Sequence, residues 1–261
     1  MHRTARSNSR SRFEVLLDLC LALALGSVLT FAQSASGQPK FEVASIRRTE
    51  STPLMVHPPE MHHGRMTASE VTLRIMAATS YGLTPNRIFG PPALDKNRFD
   101  LQAKAPDGLP DTELKPLLQS LLKDRFRMAS HAETREMNVY DLEVSNGGPK
   151  MSIYPQPART PAGLDNVRGS EYRGSPTMSR FAAMLSGPAG RPVLDKTGLS
   201  ERYNVILKFS AGLPPDGDAA EPTAPDLFTA VQQQLGLRLR PARAKLDVVV
   251  VDSIDEMPSE N

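Results

Sequence analysis

The sequence predicts an α+β fold of two similar halves, each with two main helices packed on an antiparallel or mixed sheet. Three observations lead there. A short phrase occurs twice, as Pro92-Ala93-Leu94-Asp95-Lys96 followed by Arg98-Phe99-Asp100, and as Pro192-Val193-Leu194-Asp195-Lys196 followed by Arg202-Tyr203-Asn204. Its Pro, Leu, Asp and Lys recur 100 residues on and its Arg-aromatic-Asp/Asn part 104 residues on. Each copy follows a helix-like segment and precedes a strand, a second helix and a closing strand. Helices elsewhere align at an offset of 108 (Leu73 with Phe181) and closing strands at 109 (Val139 with Val248), the drift that loop insertions in a duplicated unit would leave.

The elements follow in order. Phe41-Glu42-Val43-Ala44-Ser45-Ile46 reads as a first strand, residues 49–60 with three prolines as loop, and residues 61–66 as a short strand. Ser69 or Thr72 caps a helix carrying Leu73, Met76 and Ala77, and Gly82 ends it. Ile88-Phe89 is a strand, and Phe99, Leu101 and Ala103 alternate with polar neighbours in the next. Leu114, Leu117, Leu118, Leu121 and Leu122 make one helical stripe, with Asp111 or Thr112 as cap and Pro116 in the first turn. Residues 126–130 and 139–144 then read as two strands of a hairpin, joined by the charged turn Glu133-Thr134-Arg135-Glu136.

Residues 145–169, rich in Gly, Pro and Asn, read as a linker. Beyond it, Ser175 and Pro176 stand as N-cap and first position of a helix with Met178, Phe181, Ala182 and Leu185, stopped by Gly187. Residues 203–209 form a strand, 211–225 an exposed loop, and Asp226 caps a helix carrying Leu227, Phe228, Val231 and Leu235 that ends at Gly236. Residues 246–251 close the chain as a strand whose four consecutive valines suit burial on both faces.

The start of the chain has the pattern of a secretory signal. Arg3, Arg6, Arg10 and Arg12 precede an apolar run over residues 19–31, followed by small residues that allow cleavage between about 32 and 37. The run is short for a membrane span. Residues 1–37 are therefore expected to be removed, leaving a first repeat over 38–148, a linker over 149–169, a second repeat over 170–257 and a tail over 258–261. Cys20 falls in the signal, so the mature chain would have no disulfide, thiolate ligand or cysteine nucleophile. Without the signal, 27 basic residues face 27 acidic ones. A neutral chain with no basic block is not built for nucleic acid.

Few motifs carry chemistry. His57, His62 and His63 lie near Met55 and Met61, a set that would suit copper, but adjacent His62 and His63 point to opposite faces of a strand. Asp95 and Asp195 are candidates for acid–base work, although a motif present in both copies fits scaffold better than an active site. Leu185-Ser186-Gly187 lacks the context of a nucleophile elbow, and Gly147-Gly148-Pro149 reads as a turn rather than a phosphate loop. Trp is absent, so sugar stacking would fall to Tyr81, Tyr140, Tyr154 and Tyr172. Catalytic, cofactor and metal residues are all expected to be none.

Several stretches carry a resemblance. Phe41-Glu42-Val43-Ala44-Ser45-Ile46-Arg47, Val71-Thr72-Leu73-Arg74, Leu121-Leu122-Lys123-Asp124-Arg125-Phe126, His131-Ala132-Glu133-Thr134-Arg135-Glu136, Gly190-Arg191-Pro192-Val193-Leu194-Asp195-Lys196-Thr197-Gly198-Leu199 and Pro258-Ser259-Glu260-Asn261 resemble a family of secreted proteins of unknown function from soil-dwelling acidobacteria. The resemblance spans essentially the whole mature chain and brings no catalytic residue with it. Related domains fused to membrane metallopeptidases of the antibiotic-sensor type imply sensing or binding. The helix with Val71-Thr72-Leu73-Arg74 is also similar to the small domain at the start of secretins and TonB-dependent receptors. The expectation is an exported, secreted or periplasmic, non-enzymatic module for an unknown protein, peptide or small-molecule ligand, with no membrane span after cleavage. An envelope hydrolase using Asp or Glu, and a metal-binding exported protein, stand as alternatives.

Overall fold

Two strands, far longer than the sequence predicts, organise the molecule. In the computed structural model, which describes residues 40–50, 59–155, 166–168, 171–210 and 224–259, β6 (Ala129–Val144) and β12 (Leu237–Ser253) pair antiparallel from Leu237↔Val144 to Ser253↔Ala129. The expected signal segment, Cys20, Met55, His57 and most of the 211–225 loop lie outside the described residues. Residues 39–261 fall in one compact unit.

The expected hairpin within β6 does not form. Residues 133–136 offer no Gly, Pro or Asn to reverse the chain. Each of them instead finds a partner on β12, from Glu133↔Val248 to Glu136↔Lys245. β12 also starts nine residues earlier than the valine run suggests and passes through Pro241. That proline stands opposite Tyr140, whose N–H donates to Pro192 O on its other side at 2.9 Å. Tyr140 and Pro241 are thus a non-hydrogen-bonded pair, and the missing N–H costs the ladder nothing.

Short parallel strands flank this ribbon. β4 (Ile88–Phe89) pairs with β12 through Ile88↔Val249, and β10 (Val193–Asp195) pairs with β6 through Val193↔Tyr140, giving the order β10-β6-β12-β4. Two antiparallel sheets complete the strands. One has the order β1-β5-β3-β2, from β1 (Val43–Thr49), β2 (Glu60–His62), β3 (Arg65–Thr72) and β5 (Arg98–Lys104). The other has the order β7-β11-β9-β8, from β7 (Ser152–Ile153), β8 (Asn166–Arg168), β9 (Glu171–Gly174) and β11 (Tyr203–Lys208).

The helices are α1 (Leu73–Tyr81), the single turn α2 (Ala93–Lys96), α3 (Leu114–Phe126), α4 (Met178–Leu185) and α5 (Leu227–Leu235). Thr72 caps α1, with Gly82 left-handed at its end, and Asp226 Oδ1 accepts from Phe228 N and Thr229 N to cap α5. α4 departs from expectation. Its cap is Thr177, whose hydroxyl accepts from Arg180 N, while Ser175 Oγ donates to Asn204 Oδ1 on β11. α3 is entered through a 3₁₀ turn over Asp111–Glu113.

Two apolar cores result. In the first, α1 and the leucine stripe of α3 pack with Met66, Val71, Phe99, Leu101 and Ile88, and Phe99 meets Phe126 edge-on at 5.2 Å. Val249 and Val251, from the end of β12, belong to this core. In the second, Met178, Phe181 and Leu185 of α4 and Leu227, Val231 and Leu235 of α5 close over Tyr203, Val205 and Leu207. Leu142 of β6 and Leu237 and Leu239 of β12 complete it. Among the described residues no helix is long and apolar enough to cross a membrane.

Candidate functional site

The repeated motif lands in two settings. Leu94 is fully buried in α2, whereas Leu194 lies half-buried in β10. The two aspartates nevertheless do similar work. Asp95 accepts Arg74 Nε on both oxygens at 2.9 Å and Nη2 at 2.7 Å, which ties α1 to α2. Arg74 Nη1 continues to Ile88 O. Asp195 accepts from Ser179 Oγ of α4 at 3.1 Å, from Thr197 N at 3.0 Å and from Thr197 Oγ1 at 2.7 Å. The arginines that follow also donate to backbone, Arg98 to Glu70 O at 3.0 Å and Arg202 to Ser175 O at 2.7 Å. Asp195 ends one edge strand of the central sheet, and Asp95 follows the opposite edge strand. Three strand spacings, about 14 Å, separate those edges, beyond the reach of a carboxylate pair across one scissile bond.

The concave feature nearest this machinery is a cavity of about 400 Å³ between the α1–β4 corner and the turn after α4. Arg74, Asn86, Ile88 and Phe89 line one side, and Ser186, Gly187 and Gly190 the other. Asn86 Nδ2 spans the gap to Ser186 O at 3.1 Å. Ser186 itself is buried. Its hydroxyl donates to Ala182 O at 3.1 Å and accepts from Val193 N at 2.9 Å, so it is spent on the helix end rather than free for nucleophilic attack. A second hollow of about 330 Å³ lies where Lys40, Phe41 and Glu42 meet Leu121, Asp124 and Arg125. A third, about 280 Å³, lies beside His63, Gly64 and Lys104.

Several charged side chains are held by partners. Hydrogen bonds from Arg240, then Arg238, hold the Glu143 carboxyl below its ordinary range, and Glu143 in turn raises Arg240. Arg240 also reaches Asp141 at 2.9 Å. Asp107 and Glu42 push Lys104 up. Arg87 donates to Asp247 O across the β4–β12 seam, and burial pulls its guanidinium down while the Asp247 charge acts against that shift. Arg135 pairs with Glu133 and lies 4.5 Å from the Phe89 ring centre.

His62 and His63 sit in a hairpin. His62 closes β2, and His63 (φ 50) with Gly64 (φ 72) makes the two-residue turn into β3, the left-handed pair such a turn needs. Among the described residues no group of three His, Cys, Asp or Glu side chains is arranged to hold a metal. Of the tyrosines, Tyr172 is buried against Phe181, and Tyr81 OH bonds Ser130 Oγ at 2.8 Å. Tyr154 is half-buried, its N–H donating to Arg202 O at 2.8 Å.

Tyr140 stands in a cluster that sequence reasoning missed. It meets Phe228 edge-on at 5.1 Å, and the Arg191 guanidinium sits 5.4 Å from its ring centre. These three residues come from a strand, a helix and a turn far apart in the chain, so no local spacing announces them.

No curated protein and no solved structure matches the chain. One family, described as a protein of unknown function (DUF3738), matches residues 74–254. That stretch runs from the arginine that clasps Asp95 to the end of the long ribbon and covers the second core and most of the first, so the chain belongs to the DUF3738 family.

Proposed function

We propose that this protein is an exported, non-enzymatic binding or sensing module of the cell envelope or extracellular space, built of two similar halves. The observation that carries the reading is the commitment of its candidate catalytic groups. Asp95 spends its oxygens holding α2 to α1, and Asp195 and Ser186 spend theirs holding α4 to β10. The 400 Å³ cavity is walled by Pro85, Ile88, Phe89, Ser186 and two glycines, with Asn86 already bonded to Ser186 O and Arg74 already held by Asp95. Such a hollow binds more readily than it reacts.

Matching registers support two similar halves. Thr72 faces Arg98 as Thr177 faces Arg202, and Arg98 donates to Glu70 O as Arg202 donates to Ser175 O, both at an offset of 104 to 105 residues. Ile88↔Val249 corresponds to Val193↔Tyr140 in the same way. An offset of 109 carries the pairs from Leu239↔Leu142 to Val251↔Ser130 onto one another about Glu136↔Lys245, which maps onto itself. The Asp95/Asp195 offset of 100 then reflects the extra α2 turn before Asp95 and the extra residues after Lys196.

Export rests on the arginine-led apolar start of the chain. Expression of the full chain in a Gram-negative host, with intact-mass measurement of the periplasmic product, is expected to give a protein that has lost about 32 to 37 residues. An unprocessed chain confined to the cytoplasm contradicts the reading. Alanine at Asp95 and at Asp195 separates a scaffold from a hydrolase: lost stability in both supports the scaffold, and a fully stable protein stripped of a hydrolytic activity opposes it.

A further inference from the structure

We infer that the β6–β12 ribbon keeps the newly made chain unfolded until its last residues are synthesised, and so holds it in the extended form that an export channel passes; the inference rests on the export reading above. Most of the first core is encoded early, between Met66 and Met128. Its completion is not. Val249 and Val251 fill it from β12. The segment after β12 then seals the end of α3. Asp255 N–H donates to Phe126 O and Ser259 N–H to Arg125 O, both at 2.7 Å, which gives donors to two of the helix's last carbonyls. Arg125 Nε donates to Ser259 O across 134 residues, Asn97 Nδ2 to Glu256 O across 159, and Lys96 pairs with Glu256 across 160.

Time and entropy both lengthen the delay. From residue 148 to Val249 the ribosome must add roughly 100 residues, which takes roughly 5–20 s at ~5–20 residues per second. Contacts over such separations cost loop entropy before packing rewards them, so folding after release is slow as well. Arg87 also waits, because its acceptor, Asp247 O, lies 160 residues on.

The sequence denies an earlier closure. A hairpin over residues 133–136 would let the first half close on its own strand. Neither these residues nor their partners 245–248 contain Gly, Pro or Asn, and the strands run straight through. The start of the chain has no adjacent arginine pair, the mark of a route for folded cargo, so its signal addresses a channel that threads extended chains.

The test is pulse–chase processing of the full chain in a Gram-negative host, beside a circular permutant. Ser259 and Lys40 both contact Asp124, so a short Gly-Ser linker joins them. The new ends open within residues 211–223, read from the sequence as an exposed loop, and the signal stays in front. β12 is then made first, and the first core closes with residues 145 to about 217 still to come. The permutant is expected to lose its signal at least about twofold more slowly than the parent and to leave protease-resistant precursor in the cytoplasm. Leu94→Ala, which opens a cavity in the first core, is expected to restore its processing. Processing of a folded permutant at the parent's rate, or slow processing that Leu94→Ala does not relieve, overturns the inference. Pulsed hydrogen exchange during refolding of the mature parent chain reads the same point without a variant, and it decides alone if the permutant does not fold. Amides of α3 should gain protection together with Val248–Val251, and α3 protection well before β12 overturns the inference. A parent that is never processed brings down the export reading and this inference together. A processed parent with either overturning result leaves the export reading standing by itself.

Discussion

Asp95 and Asp195 share a letter and a motif, yet each is explained by what donates to it. Asp95 is 52 % exposed on its side chain, but the arginine it clasps is only 24 % exposed. Removing the carboxylate strands that guanidinium against Ile88 O with most of its donors unpaired. Hydrogen bonds to charged groups contribute about 1.5–3 kcal/mol, and partial exposure discounts this, so Asp95→Ala should cost ~1–2 kcal/mol. Asp195 accepts from two hydroxyls and a backbone N–H, and Asp195→Ala should cost ~1 kcal/mol. In a chain of this size each kcal/mol lowers the melting midpoint by about 2–4 °C. Thermal unfolding of the two variants checks this. Midpoints equal to the parent's would mean the carboxylates are kept for something other than the fold.

The helix ends show how far local chemistry reaches. Gly82 and Gly236 close α1 and α5 in the left-handed region, as their position after an apolar stripe suggests. Gly236 is needed twice over. Its φ is +67, and a Cβ there would lie 2.1 Å from Gly148 O. Gly236→Ala should therefore cost at least ~2 kcal/mol, read from chemical denaturation as a lower midpoint with an unchanged slope. Retained stability would mean that the 145–150 turn does not pack on this helix end.

Sequence pattern captured the elements whose signal is local: the α3 leucine stripe, the Asp226 cap, and the alternation of Phe99, Leu101 and Ala103. It failed where the deciding partner was distant. Residues 133–136 look like a turn because they are charged, but charge does not bend a strand that has β12 beside it. Ser175 looks like an N-cap, yet its hydroxyl goes to Asn204 and the cap falls to Thr177. The cavity and the Tyr140 cluster were invisible for the same reason, since each joins segments brought together only by the ribbon.

At the scale of the molecule, that ribbon makes the two cores one structure. β4 leaves the first core's segment to pair with β12, and β10 leaves the second's to pair with β6. Val249 and Val251 fill the first core from near the chain's end, while Leu142 serves the second from the β6 side. A fragment of residues 38–148 would lose both valines and leave the whole of β6 as an unpaired edge. The most direct measurement is to purify that fragment alone and together with residues 149–261, and to record amide NMR dispersion and thermal unfolding. Alone it should show poor dispersion and no cooperative melt, with both restored when the two pieces are expressed together. A well-dispersed fragment that unfolds cooperatively by itself would contradict the account of two cores interlocked through the β6–β12 ribbon.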